Sequence, residues 1–244
     1  MLKGKYETCL YEGLKEFKKV SLACPADVVY EPAETYRVKV TTSKSVIDDI
    51  KIDVYHNTLH ISPKSNFSKI EKAPILRITI YAPSVHKFEI RGSGNLYIEQ
   101  PLNHPDETFE AVIMGSGAMH IANLSYRNVI CYNAGSGDIN ITNLKCTNRL
   151  RLNVRGSGDM EIKRLVANEL QADLLGSGDI EVERMAIEHL YANLTGSGDM
   201  NFGGVARDAE LFEKGSGSIN TQKLKTLGIS HKSQKSKPSI LPQH

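Results

Sequence analysis

Gly135-Ser136-Gly137-Asp138-Ile139-Asn140-Ile141 is followed 21 residues later by Gly156-Ser157-Gly158-Asp159-Met160-Glu161-Ile162. The same phrase returns as Gly176-Ser177-Gly178-Asp179-Ile180-Glu181-Val182 and as Gly196-Ser197-Gly198-Asp199-Met200-Asn201-Phe202. Working outward, the tripeptide also opens at Gly92-Ser93, Gly115-Ser116 and Gly215-Ser216, so it occurs seven times at steps of 23, 20, 21, 20, 20 and 19 residues. Self-similarity at a near-constant step of this size is the signature of stacked repeats.

Aligned on the tripeptide, the units share further columns. After each turn comes an apolar pair two residues apart: Leu96/Ile98, Met119/Ile121, Ile139/Ile141, Met160/Ile162, Ile180/Val182 and Met200/Phe202. Nine residues beyond the first glycine stands Leu124, Leu144, Leu165, Met185, Val205 or Leu224, and a third strand reads Val129/Cys131, Leu150/Leu152, Leu170/Ala172 and Leu190/Ala192. Period-two alternation means strands with one side chain in and the next out. Such a short unit cannot bury its own apolar face, but stacked units can, with equivalent strands pairing in parallel about 4.8 Å apart. Parallel crossovers are overwhelmingly right-handed. The expected fold is therefore an all-β, right-handed parallel β-helix of about seven rungs. An antiparallel barrel or sandwich is the competing reading, because Gly-Ser-Gly-Asp suits a hairpin. It would need a turn every 8–12 residues, and the turns here come about every 20.

The rest of the chain divides around this block. Residues 1–14 read as an extension, and 15–91 as a β-rich cap and first irregular rung. Residues 92–228 form the repeat, and 229–244, with three lysines and two prolines, a loose tail. Within the cap, His56-Asn57-Thr58 between two alternating runs predicts a hairpin. Atypical end units are expected, since an open rung exposes its core and its edge.

Composition excludes several classes. Lys+Arg 30 against Asp+Glu 28 leaves +2, so no global field recruits nucleic acid or an anionic membrane. No apolar run is long enough to span a bilayer, and the N-terminus shows no signal-peptide h-region. Cys9, Cys24, Cys131 and Cys146 can pair in three ways or remain free, and their spacing does not decide. The eight histidines share no column, and no nucleophile elbow appears. No cofactor is expected.

The serial Gly-Ser-Gly-Asp-Ile/Met units, an opening Phe17-Lys18-Lys19-Val20 and the Asn57-Thr58-Leu59-His60-Ile61 element resemble the auto-transporter adhesin, head GIN domain, family over about residues 14–228. The resemblance implies a right-handed β-helix, a periplasmic or cell-surface location and an adhesion role, with no catalytic residues to carry over.

Two readings compete for the tripeptide column itself. In the structural one, Gly92, Gly115, Gly135, Gly156, Gly176, Gly196 and Gly215 permit positive φ and close backbone approach. Ser93, Ser116, Ser136, Ser157, Ser177, Ser197 and Ser216 then cap backbone groups and bond along the column. In the functional reading, Asp138, Asp159, Asp179 and Asp199 stand in register, where unit charges repel by about 0.9 kcal/mol per pair even in water. Cations could neutralise them, and Ca²⁺ would suit the oxygen donors. The motif is not the known Ca²⁺-binding repeat, however, so no metal site is assigned. The expected function is non-catalytic binding of an extended polysaccharide or protein. A polysaccharide lyase or hydrolase rests on fold analogy alone, and a pure scaffold is the third option.

Overall fold

The computed structural model describes residues 6–64, 70 and 75–234. From Met119 onward each rung is one long, twice-bent strand: β11 (Met119–Asn133), β12 (Ile139–Val154), β13 (Met160–Leu174), β14 (Ile180–Gly196), β15 (Met200–Gly215) and β16 (Ile219–Gln234). Each pairs in parallel with the next, in register with the sequence columns, so that Ile139 faces Met160 and Leu150 faces Leu170. The apolar pairs after each turn are buried in a single core that runs the length of the solenoid. β12, β13 and β14 each bury six or seven aliphatic side chains, and at about 1.5–3 kcal/mol for each of the larger ones these hold successive rungs together.

The departures from the 20-residue step are all located. The 23-residue rung carries one extra residue between Ile98 and Leu102 and the other two within β10 (Leu102–Ile113), where register breaks between His104 and Thr108. The 21-residue rung carries one between Cys146 and Arg149. The 19-residue rung lacks one between Phe202 and Gly204, so that Met185 faces Gly204 rather than Val205. Val205, expected in the core column, is therefore 53% exposed. The missing residue shifts the inward position onto Gly204, which takes φ +109°.

The N-terminal region does not simply precede the solenoid. β2 (Lys19–Leu22) and β3 (Asp27–Pro32) form a rung inserted between two later ones. β2 pairs in parallel with β6 (Thr58–Pro63) on one side and β8 (Lys87–Ile90) on the other. β3 likewise lies between β7 (Leu76–Ala82) and β9 (Asn95–Ile98). The outer strands are then covered by antiparallel partners. β5 (Ile50–Tyr55) closes on β6 through His56 and Asn57, both at positive φ, which is the tight hairpin expected there. β4 (Arg37–Ser43) covers β7, and β1 (Tyr6–Tyr11), from the stretch read as an extension, covers β4. Between β4 and β5 lies the four-residue α1 (Lys44–Ile47).

Phe17, Tyr30, Phe88, Phe109 and Tyr126 fill the core at this wider end, with Tyr30–Phe88 and Phe109–Tyr126 centroids each 5.2 Å apart. At the other end β16 pairs, among the described residues, with β15 alone and continues six residues past Gly228, to Gln234. The remainder of the expected tail, 235–244, lies outside the described residues. All four cysteines are free thiols, three of them buried.

Candidate binding surface

The corner column packs backbone on backbone. A β-carbon on the second glycine of a tripeptide would fall on the carbonyl oxygen one rung below: Gly117 onto Gly94, Gly137 onto Gly117, Gly158 onto Gly137. The first glycines meet the same obstacle from Gly115 onward. Close approach is thus what demands glycine. Of the tripeptide glycines only Gly215, at φ +119°, also needs the left-handed region, so the positive φ expected throughout the column is confined to its last member. The closeness has a use. Each first-glycine carbonyl accepts N–H groups from the next rung, as when Gly135 O takes Ser157 N at 3.1 Å and Gly158 N at 3.3 Å. The serine hydroxyls point outward, and among the described residues only Ser157 and Ser136 bond to one another, at 3.2 Å.

The aspartates form a ladder of a different kind. Asp138 Oδ1 accepts the backbone N–H of Asp159 at 2.9 Å, Asp159 that of Asp179 at 2.8 Å, and Asp179 that of Asp199 at 2.7 Å. Asp199 in turn accepts Ser218 N at 2.8 Å. A charge-assisted bond at every rung offsets the repulsion along the row. Asn95 fills the same role earlier in the column, taking Ala118 N at 3.0 Å while its amide donates to Asp27 at 3.1 Å. The row breaks at Ala118, whose side chain offers no acceptor to the N–H of Asp138. In one rung the fully buried Asn133 reinforces the corner from inside, donating to Gly137 O at 2.6 Å and accepting Gly135 N at 3.1 Å.

Two residues beyond this row, on the same outer face, runs a second one: Lys39, Thr79, Val29, Tyr97, His120, Asn140, Glu161, Glu181, Asn201, Asn220. Unlike the corner, this row changes residue at most rungs, repeating only at Glu161–Glu181 and Asn201–Asn220. Tyr97 and His120 stack at 5.1 Å with planes 14° apart, and His120 Nδ1 sits 3.5 Å from Asn140 Nδ2. These side chains, with Glu161 and Lys163, line a shallow cleft of about 430 Å³. A second cleft of about 380 Å³ opens further along the same row, beside Glu181, Asn201 and Asn220. Its floor lies where the 19-residue rung is one residue short. The two clefts lie one after the other along this row, the trough, which runs parallel to the solenoid axis.

A third cleft, of about 530 Å³, lies where the cap meets the corner column, lined by Lys39, Arg77, Asp27, Asn95 and Ser93. The bulge in β10 also brings residues together that share no sequence column. His86 Nδ1 and His104 Nδ1 lie 2.9 and 3.6 Å from Glu107 Oε2, and His86 Nε2 is 3.1 Å from Ser84 Oγ. Burial lowers the pKa of His86, only partly countered by Glu107. His86 Nδ1 is nonetheless buried and out of line for a hydrogen bond with that carboxylate. Among the described residues no group of three or more His, Cys, Asp or Glu side chains is arranged to hold a metal ion.

A sequence profile described as "Putative auto-transporter adhesin, head GIN domain" matches residues 16–199 and 151–233. The chain belongs to this family. Solved structures share the fold of this head GIN domain protein over nearly its whole length. A crystal structure described as a putative adhesin from Parabacteroides distasonis covers 96% of the chain and 98% of its own, at 15% identity and TM-score 0.66. One from Bacteroides fragilis, also described as a putative adhesin, covers 94% and 97% at 21% identity and TM-score 0.66. A third, described as a putative lipid binding protein from Parabacteroides distasonis, covers 96% and 98% at 20% identity and TM-score 0.65. No curated protein sequence matches the chain. No helix among the described residues is long and apolar enough to cross a membrane.

Proposed function

We propose that this head GIN domain protein is a non-catalytic binding module of the bacterial surface or envelope, and that the trough holds an extended polysaccharide. One observation carries the reading: the Tyr97-to-Asn220 row, which follows the solenoid axis, carries two clefts lined by amide, carboxylate, cationic and aromatic groups. A rung step of about 4.8 Å is close to the length of one pyranose unit, so successive sugars meet successive rungs. Amide and carboxylate side chains bond sugar hydroxyls, and an aromatic ring offers a face to the apolar side of a pyranose. The residue variety along the row fits a binding role, because a packing role would have repeated one residue. The corner column serves as scaffold, its aspartates already occupied by backbone N–H groups.

The test is retention on a panel of immobilised glycans, with Tyr97→Ala/His120→Ala as the probe variant. Binding should weaken about tenfold or more in the variant while its melting temperature stays within a few degrees of the parent. If no glycan is retained, or the double variant binds as the parent does, the trough reading fails. Release of unsaturated sugars from pectin-type substrates would replace it with a lyase.

A further inference from the structure

The cleft between cap and corner is larger than either opening of the trough and differs from them in character. Its walls come from β1, β3, β4, β7 and the first Gly-Ser-Gly corner, so it exists only where the inserted rung meets the regular ones. Lys39 and Arg77 stand diagonally across the β4–β7 pair, because Lys39 faces Thr79 and Thr41 faces Arg77. Diagonal neighbours in a sheet are within reach of long side chains. Both cations are exposed, and neither has an acidic partner within ion-pair distance among the described residues. Asp27 is the in-register neighbour of Arg77 and brings one negative charge to the cleft, its Oδ1 held by Asn95 Nδ2. Two cations thus share one carboxylate, and an anion between Lys39 and Arg77 is favoured. Arg offers a planar fork suited to a carboxylate.

Around this pair stand groups that suit sugar hydroxyls. Asp27 Oδ1 and Asn95 Nδ2 already bond one another at 3.1 Å, which holds both side chains at the mouth, and Ser93 lies beside them. The Tyr6 ring, 43% exposed, forms a wall. Lys39 and Thr79 of the cleft belong to the same row as Tyr97, with Val29 between, so the cleft lies in line with the start of the trough. Further along, the lining mixes Glu99, Glu161, Glu181 and Glu183 with Lys163, Arg184 and Lys223, so no single-sign field there favours a polymer charged at every unit.

We propose that the cleft is a subsite for one carboxylated pyranose at the end of a glycan whose uncharged remainder lies along the trough. The carboxylate sits between Arg77 and Lys39, and the ring hydroxyls bond Asp27, Asn95 and Ser93. This rests on the polysaccharide reading above and adds the charge and the end of the chain.

The experiment is calorimetric titration of the whole protein with two oligosaccharides. One is a neutral hexamer ending in a single uronate, and the other is the same hexamer with that uronate methyl-esterified. The acid form should bind about tenfold or more tightly than the ester. The preference should shrink as salt is raised, and Lys39→Gln/Arg77→Gln should abolish it while leaving affinity for the ester unchanged. Arg127→Gln/Arg151→Gln, at exposed positions that line none of the three clefts, controls for general charge loss and should keep the preference. Equal binding of acid and ester, or a preference that survives Lys39→Gln/Arg77→Gln, overturns the subsite while leaving the trough standing. If neither hexamer binds but a different neutral glycan is retained on the panel, the subsite is likewise overturned and the polysaccharide reading is kept. If the double variant melts well below the parent, Arg77→Lys alone serves. It keeps the charge and removes the fork, and retention of the full preference in it counts against the carboxylate contact.

Discussion

The corner tripeptide ends three residues before the trough position on each rung, and the two follow opposite rules. At the corner the same tripeptide returns at every rung, because each glycine is pressed against the carbonyl of the one below and no other side chain fits. In the trough the neighbouring position reads Tyr97, His120, Asn140, Glu161, Glu181, Asn201, with nothing beneath it that dictates size. Sameness marks where backbone meets backbone. Variety marks where the surface is free to meet something else.

The largest break in that comparison comes from Gly158→Ala. Its β-carbon would collide with the Gly137 carbonyl, and the rungs would have to part. Forced overpacking of this kind costs about 1–3 kcal/mol. A domain of this size should lose roughly 2–4 °C in melting temperature for each kcal/mol, and a thermal scan followed by circular dichroism reads the loss directly. Tyr97→Ala, in the trough row three rungs away, should leave the melt close to the parent.

A second prediction concerns the aromatic end of the core. Burial pushes the Tyr30 hydroxyl up to about 12 and raises that of Tyr126 as well. Both groups are neutral in the fold, and in the unfolded chain they ionise near pH 10. Between those values the folded state holds more protons than the unfolded one, so stability falls as pH rises. The contribution is complete below about pH 10 and is lost as pH climbs towards 12. Melting temperature measured from pH 8 to 11 should be flat at first and then drop. Tyr126→Phe, which also removes a buried hydroxyl without a partner, should lessen the drop.

Smaller effects test the aspartate ladder. Asp159→Ala removes the acceptor for Asp179 N–H and should cost about 1 kcal/mol. Ala118→Asp should go the other way, supplying the missing acceptor for Asp138 N–H and adding about 0.5–1 kcal/mol in urea unfolding. Should Ala118→Asp destabilise instead, repulsion along the row outweighs the bond. Smallest of all, Ser157→Ala should change stability by no more than about 0.5 kcal/mol, since its hydroxyl lies on the outer surface.

Much of this was legible in the residues themselves. The register of Ile139 on Met160 or Leu150 on Leu170 follows from aligning the tripeptides, because parallel stacking preserves sequence alignment in space. The outward row was visible as the polar residues between apolar ones. Three features were not visible, each for a physical reason. A spacing of 19 says that a residue is missing but not where, so Val205 reads as inward when the gap before Gly204 turns it out. The cleft at Arg77 and Lys39 depends on β2 and β3 lying between strands that come much later in the chain, which no local pattern encodes. Glu107 reaches His86 only through the bulge in β10, and a bulge places side chains off any column. The glycines read as turn formers as well as close neighbours, and only their separation in space tells the two roles apart.

The inserted rung has a consequence for how the molecule comes to be. β2 and β3 leave the ribosome early, yet every ladder at their edges is with β6, β7, β8 or β9. The solenoid therefore cannot wind up from its N-terminus as it is synthesised. The first rung must wait, unpaired on both sides, until most of the cap has emerged, and loop closure of that length makes the step slow. The regular rungs that follow need only the neighbour already in place. A protein that looks like a simple stack is thus assembled around a segment held open until its middle exists. Any helper that shields exposed strand edges would act on that waiting segment.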